Sequence, residues 1–306
     1  MKIVYAGTPD FALKPLEAIL GAGYEVVGVV TQPDKPQGRK GILTPPPVKQ
    51  LALSHGVPIL QPVKLKGEVD ALKALGGDLL ITCAYGQILT QEVLDSFPLG
   101  VYNIHASLLP KYRGASPIQW AVLNGEEETG ITVMKTDIGL DTGDILLQKS
   151  LKVGEDNAGE LAARLSALGA TCILEALFLI ESGKATLQKQ EGESSLVKKI
   201  SRESAHIDWN ASAEEIVRLV RGMNPSPVAF SEVEGQILNI FCAEVFPYEG
   251  EEENGTVLSD FPKQGFSVKC RGGAVKLTEV QLSGGKRMKA SDFLNGRKIK
   301  KGQILA

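Results

Sequence analysis

The alternation of two hydrophobic periods along the first hundred residues limits the fold more than any other feature. "KIVYA" (2–6) is a short, apolar, β-rich run. "PDFALKPLEAILGAG" (9–23) then spaces Phe11, Leu13, Leu16, Ile19 and Leu20 along one helical face, and Gly21 and Gly23 end it. "YEVVGVVT" (24–31) returns to a strand. This βαβ pattern repeats. "GDLLITCAY" (77–85) and "GVYNIH" (100–105) read as buried strands of the kind that parallel sheets use, where helices cover both faces. Helical spacing recurs at 47–56 and 68–77, ahead of these strands. A helix is predicted over 115–125, strands over 129–137 and 143–153, and a long helix over 157–183. The expected fold class is α/β, with a doubly wound, Rossmann-like N-terminal domain.

From 184 to 205 the chain turns polar, with a lysine pair at 198–199, and reads as a linker. One helix is predicted at about 212–223, closed by Asn-Pro and Pro. Short β-like runs separated by glycines follow, the pattern of a smaller C-terminal β-barrel of OB-like type. The division expected is a catalytic domain over 1–188, a linker over 189–205 and a barrel over 206–306. A chain of 306 residues suits two cores better than one.

Composition narrows the class. At 43% hydrophobic and 23% charged residues the chain reads as a soluble globular protein. A net charge of −3 gives no global attraction to polyanions, so any nucleic-acid partner must be met by local basic patches. No run approaches 18 consecutive apolar residues, so no membrane span or membrane partner is expected. "MKIVYAGTPDFA" reads as the first strand rather than as a signal peptide. Cys83, Cys172, Cys242 and Cys270 are scattered, with no C-x-x-C and no histidine at zinc spacing. They read as free thiols in a reducing cytoplasm, and no structural metal is expected.

The candidate chemistry lies in "YNIHASLLPKYRGASPIQWA" (102–121). Asn103 and His105 stand two apart at the carboxyl end of a predicted strand, so their side chains share a face. Ligands of open α/β sheets bind at that end. An amide can donate to an oxyanion, and an imidazole can donate a hydrogen bond or move a proton near neutral pH. Asp141 sits in "DIGLDTGDIL" (137–146), a loop that must return near the same crevice. A carboxylate there favours the charged imidazole and orients it. Asn, His and Asp together suit acyl transfer to an amine, although His105 could simply tie down a loop and 137–146 could be a plain turn. A serine hydrolase fits poorly, because "GASPIQ" is not G-x-S-x-G. A dinucleotide dehydrogenase also fits poorly, because "AGTPDFA" lacks the later glycines of G-x-G-x-x-G.

The stretch "NIHASLLPKYRGASPIQWAVLNGEEETGITVMKTDIGLDTGDILLQ" resembles the 10-formyltetrahydrofolate-dependent formyltransferases. The N-x-H-x-S-L-L-P run, with its L-D-T-G-D partner at the expected distance, is highly specific. "YAGTPDFA", "TQPDKPQGRKG" (31–41), "KKISRESAHIDW" (198–209) and "LSGGKRMKASDFLNGR" (282–297) extend the likeness end to end. The resemblance implies formyl transfer from 10-formyltetrahydrofolate, a co-substrate, to the amine of methionyl initiator tRNA, by a cytoplasmic monomer that needs no metal. It implies catalytic roles for Asn103, His105 and Asp141. Ser107, Leu108, Leu109 and Pro110 resemble the folate-binding turn, with Tyr85, Gln87 and Ile88 of "AYGQIL" lining the pteridine pocket. Phe11 would meet the methionyl side chain. Arg39 and Lys40 in the Pro-rich loop 31–49, Lys198 and Lys199, and the basic run from Lys286 to Lys301 would meet tRNA phosphate. A formyltransferase acting on a small amine or amino-sugar nucleotide is the alternative, and a non-catalytic RNA-binding protein of the same fold is the rival from another class.

Overall fold

Five parallel strands organise the N-terminal half of the computed structural model, which describes residues 1–38, 41–259, 266–296 and 299–306. They are β1 (Lys2–Gly7), β2 (Glu25–Val30), β5 (Ile59–Leu60), β6 (Leu79–Cys83) and β7 (Val101–His105). Two longer strands, β9 (Glu128–Lys135) and β10 (Ile145–Lys152), extend the sheet antiparallel, giving the order β10-β9-β7-β6-β1-β2-β5. Helices α1 (Leu13–Gly21), α2 (Pro47–Ser54), α3 (Val69–Ala74) and α4 (Gln91–Leu94) fall within the connections of the parallel strands. Val4, Ala6, Val30, Leu72, Leu80 and Val101 form one buried layer of this sheet. The alternating periods of the sequence are thus the doubly wound pattern expected.

Helix α5 (Pro117–Leu123) follows the candidate stretch, and α6 (Ala158–Glu181) is the long helix expected. By length and composition α6 could cross a membrane. Its Leu165, Cys172, Ile173, Ala176 and Leu177 are nevertheless fully buried.

Between β2 and α2 the structure departs from the expected open loop. Residues Lys35–Gln37 (β3) and Ile42–Thr44 (β4) pair antiparallel as a hairpin. Strands of three residues are too short to carry a visible period in sequence. Lys49 lies 2.8 Å from both Asp34 oxygens, and Gln61 Nε2 donates to Asp34 Oδ1 at 2.8 Å. These partners hold the Asp34 carboxyl below its ordinary range. Lys49 is therefore engaged at the hairpin base. Arg39 and Lys40 lie outside the described residues, as do Arg297 and Lys298.

The chain divides into two compact units, and the division is not one cut. Unit 1 comprises residues 1–117, 128–152 and 162–197, and unit 2 comprises 118–127, 153–161 and 198–306. In unit 1, β8 (Arg113–Gly114) pairs parallel with β11 (Leu196–Val197), which lies inside the polar stretch read as a linker.

Unit 2 is built on α7 (Ala213–Gly222) and antiparallel strands in the order β12 (Ala229–Val233), β13 (Gln236–Phe246), β16 (Gly273–Leu282), β15 (Phe266–Cys270) and β14 (Val257–Ser259). β17 (Met288–Lys289) pairs with β16, and α8 (Ala290–Gly296) follows it. The last residues close the barrel. Val257 N–H donates to Gln303 O and Leu305 N–H donates to Gly255 O, at 2.7 and 2.9 Å. On the other side, Ala306 and Glu232 exchange backbone hydrogen bonds of 3.0 and 2.7 Å. Both edge strands are thereby paired through one terminal segment, which removes the exposed edges an open sheet would carry.

Candidate active site

Asn103 and His105 share one face at the carboxyl end of β7, as their spacing requires. Each side chain is fixed by a neighbour. Thr82 Oγ1, from β6, donates to Asn103 Oδ1 at 2.9 Å. That bond commits the amide oxygen and turns Nδ2 toward Asp141, whose Oδ1 lies 3.5 Å away. His105 is buried, and its Nε2 lies 2.9 Å from Tyr112 O. A carbonyl oxygen only accepts, so Nε2 carries the hydrogen in this arrangement. Nδ1 is then the uncommitted ring nitrogen, and it faces Asp141 Oδ2 at 3.7 Å.

Asp141 reaches this place by a return of the chain. Lys135, at the end of β9, pairs with Tyr102 near the start of β7. The following loop folds back so that Asp141 lies beside Asn103 and His105. Asp141 adopts a left-handed backbone, φ 52°, which Asp tolerates better than most residues. Its Oδ2 accepts the Gly114 N–H at 2.8 Å. Gly114 itself sits at φ 99°, where a Cβ would lie 2.6 Å from Val197 O, so only glycine fits.

The turn 107–110 is held from within. Ser107 Oγ donates to Lys111 O at 2.7 Å, and Ser107 O accepts from Thr132 Oγ1 at 2.7 Å. Leu109 N–H donates to Thr132 Oγ1 at 3.1 Å, and its carbonyl accepts from Gln148 Nε2 at 2.8 Å. The Leu109–Pro110 peptide is cis. Ser107 and Leu109 are buried, whereas Leu108 and Pro110 are half-buried.

In the loop after β6, Tyr85 packs its ring into the buried layer of the sheet, and burial pushes its phenol to about 12. Its carbonyl accepts from Thr8 Oγ1 and Gln32 Nε2, at 3.1 and 3.2 Å. Gln87 bridges to the preceding connection, accepting from Leu65 N–H at 2.8 Å and donating to Pro62 O at 3.1 Å. Ile88 is 86% exposed. Ile42 and Leu43 of the hairpin after β2, and Val63 after β5, are exposed as well. Phe11 is half-buried, with its carbonyl accepting from Ser166 Oγ at 2.7 Å.

Burial pushes the Cys83 thiol at the end of β6 to about 12, so it does not act as a nucleophile at neutral pH. Among the described residues, no group of three or more His, Cys, Asp or Glu could hold a metal ion. In unit 2, Lys198 and Lys199 are exposed, and Lys198 O accepts from Trp120 Nε1 at 2.8 Å. Arg287 pairs with Glu279 at 2.6 Å and stacks on Phe241.

Sequence reasoning missed the groups that hold Asn103, His105 and Asp141: Thr82, Tyr112 O and the Gly114 N–H. Backbone carbonyls and amides leave no mark in a sequence. The "RG" at 113–114 is the one local signal, since a glycine one residue beyond a buried turn marks a special backbone position.

Residues 1–177 match the profile of the formyl transferase family, and residues 199–298 match that of its C-terminal domain. The methionyl-tRNA formyltransferase of Ruminiclostridium cellulolyticum is 43% identical over 311 residues, covering 100% of this chain and 99% of that one. The methionyl-tRNA formyltransferase of Bacillus subtilis is 43% identical over 309 residues, covering 99% and 97%. Among solved structures, HypX from Aquifex aeolicus in complex with tetrahydrofolic acid superposes with a TM-score of 0.69 at 19% identity, over 99% of this chain and 49% of that one. The sugar 3N-formyl transferase WlaRD superposes at 0.65 and 21%, over 90% and 97%. These two likenesses are of fold alone. Identity at this level along the whole length, with the Asn-His-Asp cluster assembled, means that the chain belongs to the methionyl-tRNA formyltransferases of the formyl transferase family.

Proposed function

We propose that this chain transfers the formyl group of 10-formyltetrahydrofolate to the free amine of methionyl initiator tRNA. The observation that carries the reading is the convergence of Asn103 Nδ2, His105 Nδ1 and the Asp141 carboxylate at the carboxyl end of β7. The methionyl α-amine titrates near ~7.7–8.0, so it loses its proton cheaply at neutral pH. Its nitrogen attacks the formyl carbon, giving a tetrahedral intermediate with an oxyanion. Asn103 Nδ2 donates to that oxyanion, as does His105 Nδ1 once the imidazole carries a second proton beside Asp141, and one well-placed donor is worth on the order of 3–4 kcal/mol. Asp141 orients His105 and passes the amine proton, through water, toward the folate nitrogen. The C–N bond to that nitrogen then breaks, releasing formyl-methionyl-tRNA and tetrahydrofolate. Formyl is already activated on its donor, so the step needs neither an enzyme-bound acyl group nor a metal.

Folate rests against the turn Ser107, Leu108, Leu109 and Pro110 and the loop carrying Tyr85, Gln87 and Ile88. The turn and loop serve through their backbone, and the exposed Ile88 gives an apolar face. Phe11 meets the methionyl side chain. Arg39, Lys40, Lys198 and Lys199 meet tRNA phosphate. The protein works as a monomer in the cytoplasm, where charged tRNA and reduced folate are found. Full-length identity supports tRNA over an amino-sugar acceptor, since the sugar enzyme resembles this chain in fold only.

The deciding assay offers 10-formyltetrahydrofolate to methionyl initiator tRNA, with a small amine and water as competing acceptors. Formyl-methionyl-tRNA as the dominant product is expected. Formyl transfer to the small amine or water alone would overturn the acceptor while leaving the donor site standing.

A further inference from the structure

The polar stretch 188–197 is built into the first unit, against both loops that hold the catalytic groups. Gln188 and Ile145 exchange backbone hydrogen bonds at 2.9 and 2.7 Å. Two residues on, Gln190 Nε2 donates to Asp141 O and to Gly143 O, both at 2.8 Å. Gln190 Oε1 accepts from Arg113 Nε and Nη2 at 3.0 and 2.7 Å. Ser195 Oγ accepts the Tyr112 N–H at 2.8 Å, and Ser195 O accepts the Arg113 N–H at 2.8 Å. One segment therefore grips the loop bearing Asp141 and the loop whose Tyr112 carbonyl orients His105. Gln190 touches both loops with a single amide.

We propose that Gln190 is a positioning residue for formyl transfer, acting through Asp141. This inference rests on the catalytic reading of Asp141 given above. Asp141 is held in a left-handed backbone that few residues occupy without support. Its carboxylate accepts the Gly114 N–H, while its own carbonyl is anchored by Gln190. Gln190 needs both halves of its amide for this. Its NH2 fixes the 141–143 backbone, and its oxygen ties that backbone to Arg113, next to Gly114. A glutamate at 190 would keep the length and the Arg113 partner but lose both donations to the loop.

The test compares Gln190→Glu and Gln190→Met with Asp141→Asn in steady-state formylation of methionyl initiator tRNA. For both Gln190 variants, kcat is expected to fall on the order of ten- to a hundredfold, the cost of a small misplacement of a reacting group. KM for folate and tRNA should stay within about twofold, because the uniform binding contacts are untouched. In an Asp141→Asn background, adding Gln190→Glu should change kcat little further, since both changes act through one carboxylate. Wild-type kcat in the Gln190 variants, with Asp141→Asn inactive, would overturn the positioning role alone. So would independent, multiplying losses in the double variant. Wild-type kcat in Asp141→Asn would overturn the catalytic reading of Asp141 and this inference with it. If Gln190→Glu does not fold, Gln190→Met decides by the same criteria.

Discussion

His105 is bracketed by two residues in unusual backbone, Tyr112 at φ 59° and Asp141 at φ 52°. Each presents to the imidazole a group that an extended backbone would carry elsewhere. Gly114 is the pivot between them, since its N–H reaches Asp141 while a Cβ there would run into Val197 O. Gly114→Ala should therefore destabilise unit 1 by about 2 kcal/mol or more, from the left-handed cost and the forced retreat of Val197. It should also lower kcat, because the N–H that holds Asp141 moves. A melting curve and a turnover assay check both, and an alanine variant as stable and active as the parent would remove Gly114 from the site. The thiols give a second prediction at this scale. Burial pushes Cys83 to about 12 and Cys172 to about 11. Cys270 is raised by burial too, whereas Cys242 is exposed, and is raised by partial burial and then by Glu279. Alkylation proceeds through the thiolate, and a raised pKa lowers its fraction at a given pH. At pH 8 the native chain should label at Cys242 only, more slowly than a free thiol, and faster as pH rises. All four thiols should label in denaturant, which mass spectrometry of the modified peptides can count.

Elements owe their ends to side chains as much as to propensity. Helix α7 begins with a reciprocal box in which Ser212 Oγ accepts the Glu215 N–H and Glu215 Oε2 accepts the Ser212 N–H, at 3.2 and 2.7 Å. Ser212→Ala should cost about 1 kcal/mol, read from chemical denaturation. The Ser212 N–H and then its hydroxyl, with Arg271 behind them, hold the Glu215 carboxyl below its ordinary range. Its stabilising effect is therefore complete above the unfolded carboxylate pKa and is lost as pH falls through the lower folded value. Glu215→Gln, which removes the charge itself, should thus differ from the parent most at neutral pH and least in acid. The period of 3.6 made α7 legible in sequence, and "SAEE" marks its start. The closing segment 302–306 was not legible, because a few residues of one strand carry no period. Its partners, Glu232 and Gly255, lie far away in the chain.

At the scale of the whole molecule, local burial made the doubly wound sheet and the Asn103–His105 pair legible, since both follow from spacing within one element. What sequence reading could not supply is which distant segments complete each unit. Gln190 and Ser195 sit among polar residues typical of a solvated linker, yet their bonds reach the backbone of Asp141, Gly143 and Tyr112. Residues 118–127 and 153–161, read as plain parts of the N-terminal domain, pack within unit 2. Leu123 packs against that unit's core, and its carbonyl accepts from Arg218 Nε at 3.2 Å. Arg221 donates to Gly154 O and Asp156 O. A chain cut after Val197 thus keeps the seven-stranded sheet and the 188–197 segment, and with them the folate side of the proposed site. It strips the partners from 118–127 and 153–161, leaving Leu123 bare. Exposing one such side chain costs about 1.5–3 kcal/mol, and further contacts go with it. The fragment 1–197 should bind 10-formyltetrahydrofolate, melt roughly 5–10 °C below the whole chain, and formylate charged tRNA poorly. Scanning calorimetry and folate titration on both chains measure this directly. A fragment that melts with the parent would mean that 118–127 and 153–161 stand without unit 2, and full activity toward tRNA would mean that residues 198–306 play no part in the acceptor side.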